Sequence, residues 1–189
     1  DQDYVLSGEI AFRIMTNEYN YGIKFLPSAL NKIYRKTFLT DNLLTFPEHI
    51  FFEDQPFSYS CTLAANRVVC VPQVVYHHYK RSGSIVQSFN QKNIDDMMTA
   101  YKMIKEYLQK NNIYKKFRFN YYSSLQHFYN LIVRQIFEFV PDEKSKKEYL
   151  KYSFIRLKEV IDIDEYIDFL SSEELRKHIQ PNITDTTIY

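Results

Sequence analysis

The stretch FFEDQPF, residues 51–57, sets two neighbouring carboxylates, Glu53 and Asp54, between Phe51-Phe52 on one side and Phe57 on the other. Acidic side chains ordinarily stay in water, because an uncompensated carboxylate among apolar groups is costly. Reading onward, DQPFSYSCTLAAN (54–66) brings Phe57, Cys61 and Leu63-Ala64 to one side at helical spacing, which predicts a helix starting at the acidic pair. An acid there complements the positive end of the helix dipole, so the local reading of Asp54 is a helix cap. The pair does not suit glycoside hydrolysis. That chemistry needs two carboxyls facing each other about 5–10 Å apart across the scissile bond, and sequence neighbours do not point that way.

Working outward on the N-terminal side, SGEIAFRIMTN (7–17) opens with Ser7 as an N-cap and carries Ile10, Ile14 and Met15 as a helical stripe. ALNKIYRKTFLTDN (29–42) is ambiguous, one reading being a short strand that runs into a helix. On the C-terminal side, RVVCVPQVVYHHYKR (67–81) is β-branched and aromatic, predicting two short strands broken at Pro72. RSGS (81–84) is a turn around Gly83.

Beyond residue 90 the periodicity changes. Met97, Tyr101, Ile104 and Leu108 recur at helical spacing, as do Tyr122, Leu125, Tyr129, Ile132, Ile136 and Phe139 up to Pro141. Leu150, Phe154, Leu157 and Ile161 form a third stripe, and Ser171 with Glu174 spells a capping box for a last short helix. The end, PNITDTTIY, is expected to be loose. The fold class is therefore α+β and helix-dominated: a mixed part with short strands over 1–90 and an all-helical region of three to five helices over 91–189.

Composition narrows the function. With 24 Lys+Arg against 23 Asp+Glu, the chain lacks the basic excess of a general nucleic-acid binder. Seventeen Tyr and fifteen Phe with only three Gly favour a helical protein. Two cysteines, Cys61 and Cys70, make no disulfide framework and suit a reducing, cytoplasmic setting. No apolar run reaches the roughly 18 residues of a membrane span, and no signal-peptide pattern is present. The chain opens on Asp1 and not Met, so it is expected to be a piece of a longer protein. Residues 102–118 hold six Lys/Arg and one Glu, and 159–174 hold seven Asp/Glu and no base. The plain reading is solvated helix faces that pair with one another. The alternative is a basic, aromatic surface in peripheral contact with an anionic membrane.

The order of segments carries a resemblance. PSALNKIYRKTFL, then Phe46, FFEDQPF, and RVVCVPQVVYHHYKRSGSI together resemble family 2 glycosyltransferases of the GT-A fold over residues 5–88. There a segment like Asn31–Lys36 precedes an aromatic-flanked Glu-Asp motif, and a loop ending in Arg and Ser follows. The resemblance implies that 1–90 is the acceptor-side part of such a domain, with 91–189 a helical extension. It implies an inverting transfer from a nucleotide-sugar donor to a glycan or other hydroxyl acceptor, in bacterial cell-surface polysaccharide synthesis at the inner face of the membrane. Asp54 is then the general base and Glu53 orients the loop or touches the acceptor. Arg81 and Ser84 face the donor diphosphate, and Phe52 and Lys32 lie toward the acceptor. A divalent metal, Mg²⁺ or Mn²⁺, is implied for the full-length enzyme and none for this stretch.

The departures matter too. His77 and His78 stand where aromatic residues are common; His78 is a weak metal-ligand candidate, since adjacent strand residues face opposite sides. The family's nucleotide-binding βαβ units and its Asp-x-Asp metal motif are missing; Asp1-Gln2-Asp3 has the spelling without the preceding strand. Isolated, the chain is expected to be inactive and to bind UDP-sugars weakly. The competing reading is a helical module without catalysis of its own, forming homo-oligomers or docking a partner through the Tyr122–Phe139 stripe.

Overall fold

Two short strands start the fold. The computed structural model describes residues 4–18, 25–74, 76, 77, 79 and 89–172. Strand β1 (Tyr4–Leu6) pairs antiparallel with β2 (Val68–Cys70), Tyr4 opposite Cys70 and Leu6 opposite Val68. Helix α1 (Gly8–Met15) follows β1 at once, with the Ile10 N–H donating to Ser7 Oγ at 3.2 Å, as the sequence predicts. Helix α2 (Lys36–Asp41) is short, and α3 (Asp54–Ala64) begins at the acidic pair. The start of α1 lies directly on the end of α3: Gly8 N–H donates to the Ala65 carbonyl at 3.1 Å. This close approach needs a glycine, because a Cβ at position 8 would sit 2.1 Å from the Thr62 carbonyl oxygen.

The rest of the described chain is helical: α4 (Gln91–Lys110), α5 (Tyr114–Phe139), α6 (Glu143–Leu157) and α7 (Ile163–Ser171). Asn90 opens α4 with a reciprocal cap: its side chain accepts from the backbone at the helix start, and Asn93 Oδ1 accepts the Asn90 N–H at 2.9 Å. Helix α5 is interrupted at Phe117 (φ −112°, ψ 15°), whose buried ring meets Phe12 of α1 edge-on at 5.2 Å. α5 ends at Phe139, just before Pro141, which cannot continue a helix.

The apolar core crosses residue 90 without a break. Phe12, Met15 and Tyr59 belong to the same buried cluster as Met97, Tyr101, Ile104, Leu108, Tyr121, Tyr122, Leu125, Ile132 and Ile136. The stripe in α5 is thus covered largely by this chain's own helices. Several core tyrosines keep their hydroxyls satisfied: Tyr121 donates to the Val160 carbonyl at 2.8 Å, and Tyr114 and Tyr122 donate to Glu165 Oε2 at 2.6 and 3.0 Å. The basic and acidic segments do meet, Arg118 with Glu165 at 3.7 Å and Lys105 with the Val160 carbonyl at 3.4 Å.

The helix-dominated α+β class holds, and several details differ from the sequence reading. Residues 30–35 form no strand. The Lys32 ammonium bends 26–32 into a turn by collecting carbonyls of that segment. Past β2, residues 71–74, 76, 77 and 79 carry no strand, consistent with Pro72 lacking a ladder donor. In α6 the inward face runs through Leu150, Ser153 and Leu157, so Phe154 points outward. The small Ser153 lets its helix approach α5, where Tyr129 Oη lies 3.2 Å from Ser153 Oγ. Ser171 is the last residue of α7, whose N-cap Asp162 accepts the Glu165 N–H at 3.0 Å; the short helix expected from Ser171 and Glu174 would run over residues outside the described ones. Glu174 and the PNITDTTIY end lie outside the described residues.

Candidate functional site

The site is built where α3 begins. Glu53 occupies the N-cap position in helical geometry and makes no side-chain cap bond, and Asp54 is the first helical residue. The Asp54 carboxylate does not act as the cap expected from local sequence. It lies close enough to the Ser28 hydroxyl, the Ala29 N–H and its own N–H for each to favour its charged form, the first two belonging to the turn preceding the Asn31–Lys36 segment. Burial pushes its pKa above the ordinary aspartate range and the neighbouring Glu53 charge adds to the rise, while Ser28 and Ala29 pull it partly back. The result is a half-buried carboxylate with raised basicity. Glu53 itself is exposed.

Lys32 organises the turn that faces Asp54. Its Nζ donates to the Leu26 carbonyl at 2.6 Å, to the Ser28 carbonyl, and to Asn31 Oδ1 at 3.1 Å, and it lies 4.8 Å from the centre of the Phe25 ring. Burial draws its pKa down to about 8, with the charges of Asp54 and Cys70 working the other way. The ammonium thus holds the Ser28 backbone in place beside Asp54 and, in this conformation, has its three protons on protein oxygens.

Aromatic rings wall the region. Tyr34 meets Phe57 edge-on at 5.2 Å, and Phe46 stacks on Phe57 at 3.7 Å. The Tyr34 hydroxyl lies near Ser58 Oγ, one turn after Asp54, yet neither atom completes a well-formed hydrogen bond, and burial raises the Tyr34 pKa to about 12. Phe52 is half-buried against the core and has left-handed backbone (φ 63°). Beyond Phe57, between the end of α2, α3 and the α4–α5 corner, lies an open cavity of about 530 Å³ whose walls include Leu44, Ser60, Leu63, Tyr107 and Asn111.

Asp54, Glu53, Phe52 and Lys32 are thus brought to one region. Arg81, Ser84, His78 and Asp1-Gln2-Asp3 lie outside the described residues; His77 is described and exposed. Among the described residues, no group of three or more His, Cys, Asp or Glu side chains is arranged to hold a metal ion. No described helix is long and apolar enough to cross a membrane. Cys61 and Cys70 are free thiols. Sequence reading missed Ser28 and Ala29 as neighbours of Asp54; the signal was their position just ahead of the Asn31–Lys36 segment, which the resemblance already singled out. It also missed Asp96, whose role depends on a contact spanning 45 residues.

No protein-family model matches the chain, and no solved structure matches it. The chain is similar to a curated protein of Bacillus subtilis named "Putative glycosyltransferase EpsH", with 32% identity over 93 residues. The match takes in 47% of this chain and 26% of that protein, so the chain spans about a quarter of the relative's length.

Proposed function

We propose that this chain is the acceptor-side part of an inverting glycosyltransferase of the family 2, GT-A type, with Asp54 as its general base. The observation that supports this most is the Asp54 carboxylate: half-buried at the first position of α3, beside Ser28 and Ala29, and raised in pKa chiefly by burial. The likeness to a protein named as a glycosyltransferase points the same way.

The chemistry is a displacement. The acceptor hydroxyl gives its proton to an Asp54 carboxylate oxygen as its oxygen bonds to the anomeric carbon. The bond from that carbon to the nucleoside diphosphate breaks on the opposite face, and its electron pair leaves with the diphosphate. Glu53 orients the loop and sustains the raised Asp54 pKa. Lys32 and Phe52 stand on the acceptor side, where Lys32 reaches a sugar hydroxyl only by exchanging one of its present oxygen partners. Arg81 and Ser84 are assigned to the donor diphosphate, where a guanidinium fork and a hydroxyl suit phosphate oxygens. A divalent metal is assigned to the donor diphosphate in the full-length enzyme. The described residues offer no ligand set for it, and no step above runs through it. The test is Asp54→Asn in the full-length protein, assayed with UDP-sugars by release of UDP. Loss of turnover with donor affinity kept supports the assignment. The docking-module reading gains no specific observation, since the α5 stripe is mostly buried within this chain.

A further inference from the structure

The segment that leads into Asp54 is held from the other end of the sequence. Residues 49–53 are awkward backbone: His49 (φ 64°) and Phe52 (φ 63°) both lie in the left-handed region, unfavourable for any residue with a Cβ. Such a conformation persists only when its surroundings impose it. Within the segment, one tie leads into the helix, from the Gln55 N–H to the Phe52 carbonyl at 3.1 Å. Two others come from the first turns of α4. Asp96 Oδ2 accepts the Phe51 N–H at 2.7 Å. Lys92 Nζ donates to the His49 carbonyl at 2.9 Å and lies 5.0 Å from the centre of the Phe51 ring. The two α4 residues are themselves paired, Lys92 Nζ to Asp96 Oδ2 at 2.6 Å, with the Asp96 side chain only 9% exposed. A charge-assisted bond from a backbone N–H to a buried carboxylate, itself neutralised by a lysine, is a strong and directional tie.

We propose that Asp96, with Lys92 beside it, is a positioning residue: α4 clamps the 49–53 loop through the Phe51 N–H and the His49 carbonyl, and so fixes where Asp54 starts α3. The functional weight of the clamp rests on Asp54 being the base; the clamp itself does not. Helix α4 is then part of the working site and not only of a helical extension. Removing the Asp96 carboxylate frees the Phe51 N–H and lets His49 and Phe52 relax toward ordinary backbone. Asp54 then moves away from Ser28 and Ala29 and toward water.

The experiment uses this chain, isotopically labelled, in four forms: wild type, Asp96→Ala, Asp96→Asn and Lys92→Met. Two quantities are read by NMR: amide exchange over 49–54 and the titration midpoint of the Asp54 carboxyl. Asp96→Ala is expected to speed Phe51 amide exchange at least tenfold and to lower the Asp54 midpoint toward the ordinary aspartate value, while exchange in the core turns of α5 is unchanged. Asp96→Asn, which still offers an acceptor oxygen, restores most of both. If Asp96→Ala does not fold, Lys92→Met, altering a half-exposed residue, carries the same readouts in smaller measure. An unchanged Asp54 midpoint and unchanged Phe51 exchange in a folded variant overturn the clamp. The base assignment stands or falls separately, on the turnover of Asp54→Asn.

Discussion

Gly8→Ala tests how closely α1 must lie on α3. A Cβ at position 8 would stand 2.1 Å from the Thr62 carbonyl oxygen and 2.3 Å from that of Ala65. Both obstacles are backbone, so no side chain can swing aside. Restoring ordinary contact requires α1 and α3 to separate by roughly 1 Å, in an interior packed as tightly as an organic crystal. That shift lengthens the Gly8 N–H to Ala65 carbonyl bond, now 3.1 Å. It also loosens the edge-on contacts of Phe12 with Tyr59 and Phe117, at 5.4 and 5.2 Å. Overpacking of this kind costs about 1–3 kcal/mol, and the better helix propensity of alanine returns less than about 1 kcal/mol. A net loss of about 1 kcal/mol lowers the melting midpoint of a chain this size by about 2–4 °C. Thermal and urea unfolding of the variant measure this directly. A midpoint unchanged or raised, as when Gly→Ala only stiffens the unfolded chain, would refute the packing argument.

Other outcomes follow from the same contacts. Asp54→Asn should not lower the melting temperature at pH 7. A raised folded pKa means that the fold favours the protonated carboxyl, so Asp54's own contribution is present at low pH and is lost as pH rises through its folded value. The variant's relative advantage should therefore vanish on acidification below about pH 4, as melting curves at several pH values will show. Tyr121→Phe removes the buried hydroxyl that donates to the Val160 carbonyl and should cost about 1 kcal/mol in urea unfolding. In the full-length enzyme, transfer should fall on acidification with a midpoint above the ordinary aspartate range, read from a pH–rate profile. Calorimetric titration of this chain with UDP, UDP-sugars and Mn²⁺ should show no tight binding, since the described residues hold no metal cluster.

Much of the helical part was legible because its periodicity is strong and its buried residues are large: Met97, Tyr101, Ile104 and Leu108 all face the core as their spacing predicts. Phe154 misled because hydrophobicity alone was counted, whereas close approach of α6 to α5 selected the smaller Ser153. Helix α7 was legible in principle from Asp162 and Glu165, a cap with an acid three residues on, but the acidic composition drew attention to charge instead. At the site, the Glu-Asp pair and the Asn31–Lys36 segment could be found from residue types in order. Their geometry could not. The Lys32 ammonium turned an expected strand into a turn, and Asp96 reaches Phe51 across 45 residues, which no local pattern encodes.

The most direct measurement of the central claim is the turnover of Asp54→Asn beside wild type in the full-length protein. UDP release from UDP-sugars gives kcat and the donor KM, and melting temperatures control for folding. Asn keeps the size of the side chain and an acceptor oxygen beside Ser28 and Ala29, but it cannot take a proton from an acceptor hydroxyl. The account predicts a fall in kcat of roughly 10²–10⁴, a donor KM within about twofold of wild type if donor contacts are untouched, and a smaller loss for Glu53→Gln. Retention of most of the turnover by a folded Asp54→Asn would contradict it and leave Asp54 as an acid that only helps α3 begin.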